Sequence, residues 1–109
     1  MIHLTADTQI LIATSHVDFR RGIDGLASLC EQQLEQSPHS GAMFVFINRA
    51  HTMIRILCYE EQGFWLATKR LSRGRYNCWP KITEGSQPLT SSALQKILTS
   101  FVAKRSRQV

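Results

Sequence analysis

The sequence contains no run of apolar residues approaching the roughly 18 that a membrane-spanning helix requires, and its first residues, Met1-Ile2-His3-Leu4-Thr5-Ala6-Asp7, lack the basic stretch that opens a secretory signal. A cytoplasmic location with no membrane partner is the expectation. Cysteine is scarce: Cys30, Cys58 and Cys78 are odd in number and far apart, forming neither a CxxC motif nor a secreted disulfide framework. They read as buried free thiols. The histidines His3, His16, His39 and His51 never fall into HExxH or zinc-finger spacing, so no metal and no cofactor is expected. A nucleophile elbow, a GxxxxGK[ST] phosphate loop and a GxGxxG turn are all missing, which points away from an enzyme. Asp18 and Asp24 make no nuclease pair on the helix expected there, because six residues turn them by roughly 240° onto opposed faces.

The chain has 109 residues, 43 % of them hydrophobic and 19 % charged, which is enough for one core and no more. The net charge of +5 is unevenly spread. Residues 1–60 carry four arginines (20, 21, 49, 55) against six acids, whereas residues 61–109 carry nine Lys or Arg against Glu61 and Glu84. A cationic face built by the second half, attracting an anionic partner, is therefore expected.

The fold class read from the pattern is α+β: a single domain over 1–103, with an antiparallel β meander of about four to five strands packed against an N-terminal helix, and a C-terminal helix. A basic flexible tail follows at 104–109. Ile10-Leu11-Ile12-Ala13-Thr14 reads as a strand. Asp18 reads as the N-cap of a helix from about Phe19 to Gln36, whose apolar positions Phe19, Ile23, Leu26, Cys30 and Leu34 line one stripe. Gly22 and Gly25 lie inside that helix, and close packing against a sheet would offset their cost.

Ala42–Ile47 is apolar on both faces, as a strand covered on both sides would be. Met53–Tyr59 alternates, with Ile54, Ile56 and Cys58 opposed to Arg55, Leu57 and Tyr59. Phe64–Leu71 is the next strand, Gly74 supplies positive φ in a turn, Tyr76–Trp79 is a short strand, and 81–88 reads as loop. Thr90 or Ser91 caps a last helix with Leu94, Ile97, Leu98 and Phe101 on its apolar side.

Lys69-Arg70-Leu71-Ser72-Arg73-Gly74-Arg75-Tyr76 concentrates cations beside an aromatic ring, the mixture that phosphates and bases both recognise. A solvated strand edge guarded by cations against aggregation is the competing reading. Alternation puts Lys69 and Arg70 on opposite faces, which leaves Arg73 and Arg75 free of that conflict. Arg20 and Arg21, at the unfavourable end of a helix dipole, form a second cationic candidate. Trp65 and Trp79 read as core or core-edge residues.

Three ordered segments carry a resemblance. Val17-Asp18-Phe19-Arg20-Arg21-Gly22-Ile23-Asp24-Gly25-Leu26, then Ser40-Gly41-Ala42-Met43-Phe44-Val45-Phe46, then Gly63-Phe64-Trp65-Leu66 leading to Lys69–Arg75, closely resemble the short accessory protein (Orf-two-like, TnpB) of IS66-type insertion sequences. The likeness runs from about residue 8 to about residue 98. It departs at Tyr76-Asn77-Cys78, where the family more often has an aromatic and a further basic residue, and at Glu60-Glu61-Gln62. The resemblance implies a part in transposition of a mobile element beside a separate transposase that carries the strand-cutting acids, and it supplies no catalytic residue.

Two expectations follow. In the first, a non-enzymatic accessory protein binds DNA through Lys69, Arg70, Arg73, Arg75, Arg20 and Arg21. In the second, an interaction module docks on the transposase of the same element, or on a second copy as a homo-oligomer, through Asp18, Phe19 and Asp24.

Overall fold

The computed structural model describes residues 7–80, 85–99 and 101–102; the tail at 104–109 lies outside them. The first strand, β1 (Ile10–Ala13), is buried at all four positions. From its end the chain runs through α1 (Ile23–Gln32) to β2 (Met43–Ile47), which lies parallel to β1 with Ile10 opposite Met43 and Ile12 opposite Val45. This corrects the all-antiparallel meander. Neighbouring parallel strands need a crossover of about a dozen residues or more, and residues 14–42 with their helix supply it.

The meander holds for the next two connections. β3 (Met53–Glu60) runs antiparallel to β2, and β4 (Gly63–Arg70) antiparallel to β3. Three short strands follow: β5 (Arg75–Tyr76), β6 (Ser86–Leu89) and β7 (Phe101–Val102). β6 falls where a loop was expected up to residue 88, and it pairs antiparallel with the open side of β1, Ile10 opposite Leu89 and Ala13 opposite Ser86. Its Pro88 reads as loop, yet an edge strand tolerates a residue without an N–H. The main sheet therefore has the order β4-β3-β2-β1-β6, while β5 and β7 pair apart from it.

Strand alternation sends side chains to two covered faces. Leu11, Ala13, Phe44, Phe46 and Leu57 meet Leu26, Leu29 and Cys30 of α1. Ile10, Ile12, Met43, Val45, Ile47 and Ile54 meet Leu94 and Ile97 of α2 (Ser91–Thr99) on the other side. The molecule is thus layered helix, sheet, helix, and this is why β2 is buried throughout and reads as continuously apolar. Each fully buried Leu, Ile or Phe on these faces contributes about 1.5–3 kcal/mol of transfer free energy.

The first helix begins four residues later than expected. Gly22 is its N-cap, at φ 59°, with no side-chain capping bond, and Leu26 N–H donates to Gly22 O at 3.0 Å. A residue with a Cβ is disfavoured in that left-handed conformation, so the helix cannot run back through position 22. Asp18 is consequently free for other work. The helix ends at Gln32 rather than Gln36, and Gln36 N–H closes on Cys30 O at 2.9 Å with Glu35 at φ 55°, where glycine is usual. In α2 the expected cap is in place, Thr90 Oγ1 accepting from Ala93 N–H at 3.1 Å, but Phe101 belongs to β7 rather than to the helix.

Cys30 and Cys58 are buried, and burial pushes the Cys30 thiol up to about 12. Cys78 is exposed, contrary to expectation. Trp79 fits the core edge and donates its Nε1–H to Ala13 O at 3.0 Å, whereas Trp65 is 44 % exposed.

Candidate nucleic-acid interface

A cleft of about 700 Å³ opens beyond the carboxyl ends of the parallel strands β1 and β2. Such ends are where open α/β sheets place ligands, because the connections diverge there and leave a crevice. One wall is the segment His16–Arg21 that leaves β1; the other is the β2–β3 hairpin Asn48–Ala50 with Met53 and Arg55 of β3; Leu29 of α1 and Gln33, the residue that caps its end, complete the lining.

Each wall is tied to the sheet. Val17 N–H donates to Ile47 O at 2.9 Å. Asn48 Oδ1 accepts from Thr52 N–H and Met53 N–H at 2.9 and 3.0 Å, which shapes the hairpin and sets Arg49 at its exposed tip. Arg55 Nη1 donates to Phe19 O at 2.7 Å, its Nε donates to Thr68 Oγ1 at 3.1 Å, and its guanidinium lies 4.8 Å above the Phe19 ring. A guanidinium can do all three at once because its donors form a planar fork and its face stacks.

The electrostatics are dominated by arginine. Arg20, Arg21, Arg49 and Arg55, the four arginines of residues 1–60, all line this one cleft. Asp18 is the carboxylate among them; hydrogen bonds from the Arg20 side chain, then from the Arg20 backbone N–H, hold it down to about 2. Arg20 N–H donates to Asp18 Oδ1 at 2.9 Å, so the residue expected to cap a helix instead closes a short turn before it. Arg49 has no carboxylate partner among the described residues, and Arg21 acts on Asp18 only through space. Gly25 fixes the course of Arg21: a Cβ at position 25 would stand 2.7 Å from Arg21 Cβ.

Behind the hairpin, burial lowers the His51 imidazole below its ordinary value, helped by the charges of Arg75 and His16. Tyr76 N–H donates to His51 O at 2.8 Å, which places the neighbouring Arg75 close to this end of the sheet.

The remaining sequence candidates distribute as follows. Arg70 stands opposite Met53, on the cleft face of the sheet and at its near end. Lys69 stands opposite Ile54 on the α2 face, and its Nζ donates to Leu98 O at 2.8 Å, so it caps the end of α2. Arg73 and Arg75 are exposed around the turn at Gly74, which has the expected positive φ of 77°. Of the residues expected to touch a protein partner, Asp18 is engaged by Arg20, Phe19 lies beneath Arg55, and Asp24 is exposed in the first turn of α1, where its charge suits the helix dipole. Arg49, Arg55, His16 and His51 are missed by the sequence reading. Arg55 sits in an alternating strand and Arg49 in a hairpin tip, and only the fold shows that both abut the loop after β1.

Among the described residues no group of three or more His, Cys, Asp or Glu is placed to hold a metal ion, and no helix is long and apolar enough to cross a membrane. Fold and site together define a small helix–sheet–helix domain with an arginine-lined cleft at the ends of its parallel strands.

The chain matches the family described as IS66 Orf2 like protein over residues 8–108, and it belongs to that family. It is 33 % identical over 95 residues to the uncharacterized protein y4hO of Sinorhizobium fredii (strain NBRC 101917 / NGR234), covering 87 % of this chain and 82 % of that one. It is 34 % identical over 86 residues to the uncharacterized protein y4jC of the same organism, covering 79 % and 73 %. No solved structure matches. Family membership implies an accessory role in transposition.

Proposed function

We propose that this transposition accessory protein binds nucleic acid by seating a phosphodiester backbone in the cleft between the His16–Arg21 segment and the Asn48–Ala50 hairpin. The observation that carries the reading is the convergence of Arg20, Arg21, Arg49 and Arg55 from separate elements onto one crevice, with Asp18 alone as counter-charge in its lining. Burying or crowding like charges costs free energy unless an anion offsets it, and a guanidinium matches a phosphate through paired N–H donors. Arg70, Arg73 and Arg75 extend the same cationic end of the sheet, so the backbone would track from the cleft across the Gly74 turn. Recognition of this kind positions a strand without reading its sequence.

The test is anisotropy of a labelled duplex from the element's ends, titrated with the full chain at several salt concentrations. With Arg20 held by Asp18, the three remaining cleft arginines neutralise three phosphates and give a slope of log affinity against log salt of about −2.7 from the cleft, and Arg21→Ala with Arg49→Ala reduces its magnitude by roughly 1.8. A salt-independent affinity, or a double variant with an unchanged slope, would sink the reading.

A further inference from the structure

β4 is the last strand on its side of the main sheet, so one row of its backbone groups has no strand beside it among the described residues. It is eight residues long, mostly exposed, and carries Trp65, 44 % exposed, near its middle. A long exposed edge of this kind is a template for strand addition unless charges guard it. Its cations, Lys69 and Arg70, stand together at one end, Lys69 also donating its Nζ to Leu98 O, and the stretch from Gly63 to Thr68 carries no charge to guard it.

We propose that the free edge of β4 pairs with the same edge of a second copy of this chain, antiparallel and centred on Ala67. Three features select that occupant and that register. The first is charge: each β4 is preceded by Glu61 in its turn and followed by Arg73, and antiparallel copies centred on Ala67 set each Glu61 across from the other's Arg73.

The second is hydrogen-bond parity. The two-residue connection Glu61–Gln62, at φ 50° and 68°, makes Glu60 and Gly63 a hydrogen-bonded pair. Gly63, Trp65, Ala67 and Lys69 then bond inward to β3, leaving the N–H and C=O groups of Phe64, Leu66, Thr68 and Arg70 directed outward. Only registers that match outward residues with outward residues are allowed.

The third is coverage. Of those registers, the one centred on Ala67 sets Trp65 across from the partner's Lys69 and Phe64 across from the partner's Arg70, placing aromatic rings against cations and no like charges in opposition. It covers both exposed Trp65 rings.

The two-fold axis stands perpendicular to the sheet, so both arginine clefts open on the same side, on the order of 30 Å apart by strand spacing and rise. That approaches one turn of duplex, about 34 Å, and this consequence rests on the proposed function. The dimer itself does not, and it is measured without nucleic acid. A single strand pair is a small interface, so association is expected to be weak and concentration-dependent.

The experiment uses the full chain carrying Cys78→Ser, followed by sedimentation velocity from micromolar to hundreds of micromolar concentration. Ala67→Cys is expected to cross-link to itself on mild oxidation, because residues facing one another in a non-hydrogen-bonded pair meet at disulfide distance. Trp65→Cys, across from the partner's Lys69, is expected not to cross-link. Trp65→Lys opposes cation to cation and should abolish the dimer, whereas Trp65→Glu, facing the partner's Lys69, should keep it and make it salt-sensitive. A chain that stays monomeric throughout the range, equal cross-linking at 65 and 67, or equal dimerisation of the Lys and Glu variants overturns the proposal.

Discussion

Asp18 and Arg20 hold each other through a two-pronged contact, Arg20 Nη2 reaching Asp18 Oδ2 at 2.8 Å and Nε reaching Oδ1 at 3.1 Å. Both side chains are well exposed, so the pair matters little for stability and a good deal for local charge. It cancels one of the four cations of the cleft. The positive charge available to a polyanion there comes from Arg21, Arg49 and the outer face of Arg55.

Breaking that cancellation should strengthen binding. Asp18→Asn keeps an oxygen for the Arg20 backbone N–H but removes the negative charge that detains the guanidinium. Affinity for duplex DNA is expected to rise, and the salt slope to steepen by up to about 0.9, the contribution of one further phosphate contact. Anisotropy titrations at a series of salt concentrations measure both.

Lys69 and Arg21 separate the two cationic groups that the sequence offers. Lys69→Ala removes the cap from the last turn of α2 and is expected to cost about 0.5 kcal/mol of stability, the scale of a cation at a helix C-terminus. It should leave the salt slope of DNA binding unchanged. Urea denaturation and the same titrations together decide the point; a shallower slope for Lys69→Ala would return the binding surface to the α2 side of the sheet.

Much of the architecture is legible in the residues. Met43–Ile47 is apolar without alternation because helices cover both faces of β2, and Leu26 and Cys30 keep helical spacing because they touch Phe44, Phe46 and Leu57. Strand direction is not legible: β1 is short and symmetrical in composition, and only the crossover through α1 makes it parallel to β2. The start of α1 is misread for a local reason, since Asp18 has the chemistry of a cap but Gly22 has the backbone conformation of one. The cleft is the least legible feature. Its arginines lie 28 or more positions apart on either side of α1, at 20, 21, 49 and 55, in a half of the chain whose net charge is negative. Charge summed along a sequence says nothing of charge gathered in space.

Gly25 tests whether the cleft depends on its frame. Alanine at a helical position ordinarily gains about 1 kcal/mol over glycine. Here its Cβ would stand 2.7 Å from Arg21 Cβ, which is fixed to the backbone and cannot swing aside, and overpacking of this kind costs about 1–3 kcal/mol. Gly25→Ala is therefore expected to give a net loss of about 1 kcal/mol and weaker DNA binding, although residue 25 does not line the cleft. Thermal melts and binding titrations check it; a gain in stability with unchanged affinity would show that Arg21 relaxes freely.

His51 links the cleft end of the sheet to pH. Its folded value lies below 6.5, chiefly through burial and then through Arg75 and His16. The unfolded chain consequently binds the proton more readily than the folded one. The stability contribution is present in full above 6.5 and declines as the pH falls through the folded value. A bound polyanion acts in the opposite sense, because its negative charge favours the protonated imidazole of His51 near Arg75. As the pH drops from about 7.5 to 5.5, across the ordinary histidine range, the free protein should grow less stable while its affinity for DNA at fixed ionic strength rises. His51→Gln should flatten both trends, and Arg75→Ala should raise the His51 value toward its ordinary one in an NMR titration. Parallel urea midpoints and anisotropy titrations across that range measure the two effects, and an affinity that falls with the stability would show that His51 lies outside the field of the bound strand.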